Sequence, residues 1–222
     1  MCGRIIRKTS RLQVSVDLGM EDDFGPDLPP RYNIPPGVPI LTVRRVGNRP
    51  EFAYLHRGLI PSWAKDQKSS FKMINARAET IAEKPAFREA LQKRRCVIPV
   101  DGFYEWQKVG EKKIPFLIRL KSERVFFLAG VWEIWLSADG KKVESCAVVT
   151  VKANECVAPI HDRMPAILPR QNIDEWLNSS QHDAGLVMGH LVPFPSEEIS
   201  ITRVSQRVNN WRNDDAACLD WA

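Results

Sequence analysis

The sequence predicts an α+β fold with a single domain, built mainly from antiparallel β-strands with short flanking helices. Strand-like apolar runs follow one another at regular spacing with short turns between them, which favours antiparallel pairing. The chain also contains 16 prolines and 12 glycines, which indicates many short elements. No linker separates two halves. We therefore expect residues 1–222 to form one domain, with a C-terminal tail over roughly residues 211–222 whose role the sequence does not indicate.

Apolar and β-branched runs bounded by turn residues predict the strands and their order. The predicted strands are residues 40–46, 52–56, 96–100, 103–108, 114–120, 125–131, 144–151 and 200–204. The predicted helices are residues 79–94, interrupted near Pro85, then 171–178 and 183–189. Residues 22–37 contain five prolines, and we expect a loop there.

The composition is that of a globular protein. Hydrophobic residues make up 44% and charged residues 27% of the 222 residues, which excludes a disordered chain, a collagen or a coiled coil. The longest apolar run, residues 125–132, is far shorter than the roughly 20 residues that span a bilayer. The N-terminus lacks the apolar segment of a signal peptide, so we expect a cytoplasmic protein with no membrane partner.

The charge is unevenly distributed along the chain. Residues 1–125 carry 24 Lys and Arg against 14 Asp and Glu, a net charge of +10. Residues 126–222 carry 8 against 13, a net charge of −5. A basic face built mainly from the first half would attract a polyanion such as nucleic acid. Chance drift of surface composition accounts for the same numbers, so charge alone leaves both interpretations open.

The five cysteines do not suggest a disulfide framework or a zinc site. They are odd in number, widely spread and without a CxxC pair. Cys96 and Cys146 lie in apolar runs and are expected in the core, whereas Cys156 and Cys218 carry no signal. We therefore expect no metal and no cofactor.

Cys2 has chemistry of its own, because initiator methionine is usually removed before a small residue. Cys2 would then be an N-terminal 1,2-aminothiol, with an amine pKa of about 8. The amine condenses with an aldehyde to an imine, and the thiolate closes onto the imine carbon to form a five-membered thiazolidine. The alternative is that Cys2 is accidental and Met1 stays.

Three further residues have side chains of the types that act in catalysis. Asn75 stands before a predicted helix, Glu105 lies among aromatic residues of a predicted strand, and His161 lies in a polar loop. Each has a structural alternative: a helix cap for Asn75, a solvent-facing strand residue for Glu105 and a hydrogen-bonded loop residue for His161. Together with Cys2 they suit covalent catalysis with general acid–base assistance.

Six motifs in this order resemble those of the SRAP family, the SOS response-associated peptidase domains that are understood as abasic-site processing proteins. The resemblance covers essentially the whole chain, ending at Val208-Asn209-Asn210, and it implies a barrel-like SRAP fold. The motifs are MCGR at residues 1–4, RYNIPPG at 31–37, RGLIPSW at 57–63, NARAET at 75–80, DGFYEW at 101–106 and HDRMP at 161–165.

The resemblance implies that Cys2, after removal of Met1, forms a thiazolidine crosslink with the ring-opened aldehyde of an abasic site in single-stranded DNA and shields the lesion. Asn75 would orient the cysteine and the sugar. Glu105 would be the general acid and base and would assist self-removal of Met1. His161 would protonate the sugar oxygen and assist reversal of the crosslink. Because the imine also permits β-elimination, weak lyase activity is expected.

The resemblance also implies how DNA binds. Three arginines would bind phosphates flanking the lesion, and aromatic and proline side chains would stack on or wedge between bases. For Trp63, packing in the core is the alternative. We expect a monomer whose partner is single-stranded DNA with an abasic site. The expected DNA-binding residues are Arg4, Arg77, Arg163, Trp106, Trp63 and Pro36.

Two other functions remain open at this level. One is a cysteine-dependent peptidase acting on other proteins, although the sequence gives no separate sign of the oxyanion hole that it needs. The other is a noncatalytic single-strand binder that uses only Arg and Trp side chains, whose binding would be fully reversed by salt.

Overall fold

The computed structural model describes residues 2–21, 28–178 and 184–221. The strands in chain order are β1 (Arg4–Arg7), β2 (Arg31–Ile34), β3 (Pro39–Val46), β4 (Arg49–Arg57), β5 (Asn75–Arg77), β6 (Arg95–Val100), β7 (Gly102–Val109), β8 (Lys112–Leu120), β9 (Phe126–Leu136), β10 (Lys142–Lys152), β11 (Arg163–Pro165), β12 (Ile167–Leu168) and β13 (Ile199–Arg203). The helices are α1 (Arg11–Leu18), α2 (Ala78–Ile81), α3 (Arg88–Lys93), α4 (Ile173–Leu177) and α5 (Ala184–Gly189). Short 3₁₀ helices lie at Gln67–Lys72, Arg170–Asn172, Ser196–Glu198, Gln206–Asn209 and Ala216–Leu219.

Five strands close into a barrel. β10 pairs with β4, β4 with β3, β3 with β6, β6 with β9, and β9 returns to β10. Of these pairs only β4 with β10 is parallel. Closure pairs the strand edges that an open sheet would expose to other chains. The short strands β5 and β11 attach to β10, and β12 attaches to β9.

A second, antiparallel sheet has the order β13-β8-β7-β1-β2. Its side chains alternate between two faces, as the pleat of a strand requires. One face, with Ile5 and Phe103, joins the main core together with the barrel. The other face packs against the C-terminal segment, residues 204–221, in a smaller cluster of Ile6, Tyr104, Leu117, Val204, Val208 and Cys218.

The C-terminal segment is held to β2 by hydrogen bonds. Asp214 accepts from the backbone N–H groups of Tyr32 at 2.6 Å and Asn33 at 2.8 Å, and it pairs with Arg31. Asn33 in turn donates to the carbonyl oxygens of Val208, Asn210 and Asn213. The described part of the expected tail is therefore an integral layer of the fold.

The structure confirms the predicted fold class and extends most predicted strands by a few residues. The helix predicted over residues 79–94 is interrupted as expected, but its second part, α3, begins at Arg88 and not at Pro85. Residue 183 and residues 22–27 lie outside the described residues. The loop prediction is wrong over β2, because β2 depends on long-range partners in β1 and Asp214 that local turn chemistry does not register. Cys96 and Cys146 are buried, as predicted.

A glycine fixes the end of β4. Gly58 has a φ of 129°, and a Cβ there would lie 2.6 Å from the carbonyl oxygen of Ser70. Only glycine tolerates both the conformation and the close approach. Gly58 therefore sets the direction in which the chain leaves Arg57, the last residue of the strand.

The described residues contain no helix with the length and apolar character needed to cross a membrane. No group of three or more His, Cys, Asp or Glu side chains within 2–21, 28–178 and 184–221 is arranged to hold a metal ion.

Candidate active site

A cleft of about 710 Å³ opens beside the start of β1. Its lining is rich in cationic and aromatic side chains, and Glu105 is the only carboxylate among its described lining residues. The cleft brings together five of the predicted site residues from distant parts of the sequence. The lining residues are Gly3, Arg4, Pro36, Glu105, Trp106, Lys108, Lys113, His161 and Asn209.

Cys2 adjoins this cleft through Gly3 and is itself fully buried. Arg57 donates to the carbonyl oxygen of Cys2 at 2.6 Å and to that of Gly3 at 3.0 Å, and its Nη2 lies 4.0 Å from the Cys2 Sγ. Burial raises the pKa of the Cys2 thiol to about 11, while Arg57 lowers that pKa and Glu105 raises it. The thiol is therefore protonated at neutral pH, and its reaction needs a base.

Glu105 is buried on β7, with 2% of its surface exposed, which excludes the solvent-facing alternative. β1 and β7 are antiparallel, with Arg4 opposite Tyr104, so the same register continued by one residue places Gly3 beside Glu105. Burial raises the pKa of Glu105, and the nearby His161 opposes that rise. A carboxyl with a raised pKa can both accept and donate a proton near neutrality.

His161 lies on the loop between β10 and β11 and is half-buried. Its Nδ1 accepts a hydrogen bond from the backbone N–H of Arg163 at 3.0 Å. The Asp162 carboxylate lies 2.9 Å from the same nitrogen, but its side chain is 83% exposed to solvent. Because the backbone N–H of Arg163 can only donate, we assign Nδ1 as the acceptor of that bond. With Nδ1 as acceptor the ring proton lies on Nε2, which makes His161 a hydrogen-bond donor at the cleft.

Asn75 begins β5, which follows β4 along the same edge of β10. Arg57 lies opposite Cys146 and Asn75 lies opposite Val148, two residues further on. Both side chains therefore leave the same face of the sheet, roughly 7 Å apart along the strand direction. Both polar atoms of the Asn75 amide are buried without a hydrogen-bond partner among the described residues, which excludes the helix-cap alternative. An unpaired buried amide costs about 1–3 kcal/mol, so it is poised for a ligand.

Arg4 and Trp106 form one wall of the cleft. The Arg4 guanidinium lies 5.7 Å from the centroid of the Trp106 ring, within the range of a cation–π contact. Arg4 also donates to Asn33 at 2.8 Å and to the Val208 carbonyl at 2.9 Å. The Trp106 indole donates to Asn209 at 2.7 Å. The C-terminal segment therefore fixes the orientation of both side chains.

Two lysines extend the basic lining. Lys108 on β7 lies directly opposite Lys113 on β8, and both are exposed at the cleft. Like charges directly opposite in a sheet are destabilising, so this pair favours an anionic ligand. Arg77 is also exposed and lies two residues beyond Asn75, on the same face of β5.

Arg163 is placed differently from the other predicted phosphate ligands. It is 7% exposed, donates to both oxygens of Glu79 at 2.6 and 2.8 Å, and donates to the Thr150 carbonyl at 2.6 Å. These bonds occupy both terminal nitrogens of the guanidinium, which leaves few N–H groups to bind a phosphate. Trp63 is 65% exposed, which excludes the core-packing alternative, and it is not among the described residues that line the cleft.

Residues 1–211 match the family described as SOS response associated peptidase (SRAP). The chain belongs to the SRAP family. It is 40% identical over 223 residues to the abasic site processing protein YoqW of Bacillus subtilis (strain 168), covering 99% of both chains. It is 41% identical to YoaM, an abasic site processing protein of the same strain, covering 99% of this chain and 98% of the relative. A crystal structure of a protein from Bacteroides thetaiotaomicron superposes with a TM-score of 0.88 at 27% identity, covering 100% of both chains.

Some residues of the site have roles that the sequence does not indicate. Arg57 lies in the RGLIPSW motif and Asn209 in the Val208-Asn209-Asn210 stretch, but nothing in the sequence indicates that Arg57 holds Cys2 or that Asn209 orients Trp106. Lys108 and Lys113 follow the DGFYEW motif on a hairpin, and pairing them requires the register of that hairpin. The sequence signals this pair only through the lysines at and next to the facing ends of the predicted strands 103–108 and 114–120.

Proposed function

We propose that this SRAP protein processes abasic sites by linking Cys2 covalently to the lesion in single-stranded DNA. The observation that carries the proposal is the cationic cleft, in which Glu105 and His161 lie beside the main chain of the Cys2–Gly3 segment. The relatives YoqW and YoaM are named abasic site processing proteins, which supports abasic sites as the substrate.

The reaction begins with a new N-terminus. Hydrolysis of the Met1–Cys2 peptide bond consumes one water and gives Cys2 a free α-amine. Glu105 is the candidate base for that water, because burial raises its pKa and it lies beside Gly3. This self-processing accounts for a peptidase activity without a second active site.

The abasic sugar must open before it reacts. Glu105 takes the proton from the C1′ hydroxyl and passes it to the ring oxygen O4′, to which the Nε2–H of His161 donates a hydrogen bond. The C1′–O4′ bond breaks, which leaves an aldehyde at C1′. The Cys2 amine adds to C1′, and loss of water with Glu105 as acid gives the imine. The unpaired Asn75 amide supplies hydrogen bonds that hold the opened sugar.

Ring closure completes the crosslink. A bond forms between the Cys2 Sγ and C1′, the electron pair of the C=N bond moves to nitrogen, and the thiol proton reaches that nitrogen by way of Glu105. Amine, thiol and aldehyde thus give a thiazolidine and one water. Until closure the imine is open to β-elimination, which gives a weak lyase activity.

The DNA backbone follows the basic lining. Arg4, Lys108 and Lys113 bind phosphates on one side of the lesion, and Arg77 does so beyond Asn75. Trp106 and Pro36 offer flat surfaces against which neighbouring bases stack.

The test uses purified protein and a single-stranded oligonucleotide with one abasic site, resolved on a denaturing gel. Wild type should give a stable shifted band, and intact mass should show the loss of Met1. Cys2→Ala should give no band, whereas the matched control Cys156→Ala, outside the cleft lining, should keep it. Cys2→Ser keeps the amine but not the thiol, so it should give a band only after borohydride reduction and more strand cleavage.

Each alternative predicts a different pattern. A peptidase acting on other proteins would turn over peptides without inhibition by DNA and would leave no band. A noncatalytic binder would give salt-sensitive binding that survives Cys2→Ala. A wild-type protein that retains Met1, or that forms no band, contradicts the proposal.

A further inference from the structure

Arg57 is a buried arginine at the end of β4 with none of its surface exposed. The described oxygen atoms that accept from it all belong to the main chain, those of Cys2 at 2.6 Å, Gly3 at 3.0 Å and Ile34 at 3.5 Å. No carboxylate of the described residues lies within 4.0 Å of the guanidinium. Its Nε has no partner within the same part of the chain.

A fully buried cation without an anion is costly, and arginine is almost never fully buried unless it is paired. Carbonyl oxygens offset part of this cost but carry no charge. The Cys2 sulfur, which can become an anion, lies 4.0 Å from Nη2. The geometry thus places a fixed positive charge against the atom that closes the thiazolidine ring.

We propose that Arg57 is a positioning residue for Cys2, which anchors the main chain of residues 2 and 3 and stabilises the Cys2 thiolate during ring closure. This rests on the function proposed above. The two carbonyl bonds fix where the amine and the sulfur lie relative to the cleft, so that both reach C1′ of one sugar. The positive charge lowers the free energy of the sulfur anion that attacks the imine carbon.

The other groups around Cys2 act in known directions. Arg57 lowers the pKa of the Cys2 thiol and Glu105 on β7 raises it, and the α-amine of Cys2 is adjacent after removal of Met1. His161 faces Glu105, and Cys146 on β10, whose thiol pKa burial raises to about 12, also faces Arg57. Removing Arg57 leaves burial and Glu105 acting in the same direction, so the thiol pKa should rise further.

The step balances without an outside reagent. The Cys2 thiol gives its proton to Glu105, the Sγ–C1′ bond forms, the C=N electron pair moves to nitrogen, and nitrogen takes the proton from Glu105. Arg57 neither gains nor loses a proton. Its effect should therefore appear in ring closure and not in imine formation.

The test compares Arg57→Met with wild type on the abasic oligonucleotide across a pH series. Two products are measured: the stable crosslink, and the band that appears only after borohydride reduction of the imine. Loss of an opposite charge within about 4–6 Å shifts a pKa by one or more units, so closure near neutral pH should slow about ten-fold or more. The imine should accumulate, and the alkaline limb of the closure rate should move to higher pH.

Arg95→Met is the matched control. Arg95 is also buried and donates to the carbonyl oxygens of Leu91, Trp176 and Asn178. None of these residues is among the described residues that line the cleft. Arg95→Met should be less stable than wild type, but its rate of ring closure and the pH dependence of that rate should match those of wild type. A purely structural role for Arg57 would make the two variants behave alike, and that result would overturn the inference.

If Arg57→Met does not fold, Arg57→Lys tests the same inference. The ammonium keeps the charge but cannot bond both carbonyls as a fork. Closure should slow while the pH limb stays close to that of wild type; an unchanged rate would overturn the positioning role. No crosslink with wild type would contradict the proposed function, whereas wild-type crosslinking matched by Arg57→Met contradicts only the role of Arg57.

Discussion

Replacing Arg163 by methionine removes a buried guanidinium but keeps an apolar side chain of similar length. The change breaks two bonds to the Glu79 carboxylate, at 2.6 and 2.8 Å, and one to the Thr150 carbonyl at 2.6 Å. Arg163 belongs to the HDRMP motif, in which the family resemblance implies a phosphate ligand. Its burial favours a structural role, and the two roles give opposite results.

The cost follows from the surroundings of each bond. The Glu79 side chain is 46% exposed, so solvent screening limits the ion pair to about 1 kcal/mol. Thr150 is fully buried, and loss of a hydrogen bond from a charged donor to its carbonyl costs about 1.5–3 kcal/mol. Arg163→Met should therefore lower the free energy of unfolding by about 2–4 kcal/mol.

The pH dependence has a definite sign. The hydrogen bond from Arg163 lowers the pKa of Glu79 below its ordinary value of 4.5. The pair therefore stabilises the fold fully above that value, and this stabilisation is lost as pH falls through the folded-state pKa. The deficit of Arg163→Met should shrink in acid, down to the part that comes from the Thr150 carbonyl.

Urea denaturation measures the stability, and the salt dependence of binding to single-stranded DNA counts the phosphate contacts. Arg163→Met should leave the slope of log K against log salt unchanged. Arg77→Met is the control: Arg77 is exposed, so it should cost less than about 0.5 kcal/mol but reduce the slope by about 0.7. An Arg163→Met protein as stable as wild type, with a slope reduced by that amount, would refute the structural role.

Two further substitutions test the cleft. Glu105→Gln should slow crosslinking about 100-fold or more, because a positioned acid and base is lost. Burial raises the folded-state pKa of Glu105, so the contribution of Glu105 to folding stability is lost as pH rises through that pKa. In urea denaturation, Glu105→Gln should therefore be more stable than wild type at about pH 8 but not at about pH 4. Lys108→Ala with Lys113→Ala should reduce the salt slope of DNA binding by about 1.4 without loss of stability, because two phosphate contacts and one like-charge pair disappear together. A more stable wild type at pH 8, or an unchanged slope, would contradict these assignments.

The strands that the sequence predicted are those whose own apolar pattern is strong. β9 and β10 are buried along most of their length, and their composition alone indicates strands. β2 and β5 have no such pattern, since they are short and are held by partners far along the chain. Closure of the barrel is a property of the β9–β10 pair and could be expected only through the family resemblance.

The arginines show why motifs identify site residues better than they assign roles. Arg4, Arg57 and Arg163 all lie in motifs of the family, and a guanidinium serves equally well to bind a phosphate or to bond buried carbonyl groups. Exposure separates these roles, and exposure follows from packing: Arg4 lines the cleft, while Arg57 and Arg163 are covered by the chain. What each buried arginine then does depends on the neighbour it faces. Arg163 faces Glu79, an anion that pairs with it, whereas Arg57 faces the Cys2 thiol, which becomes an anion only in the reaction that we propose. Under this proposal the same residue type stabilises the fold in one place and a reaction step in the other.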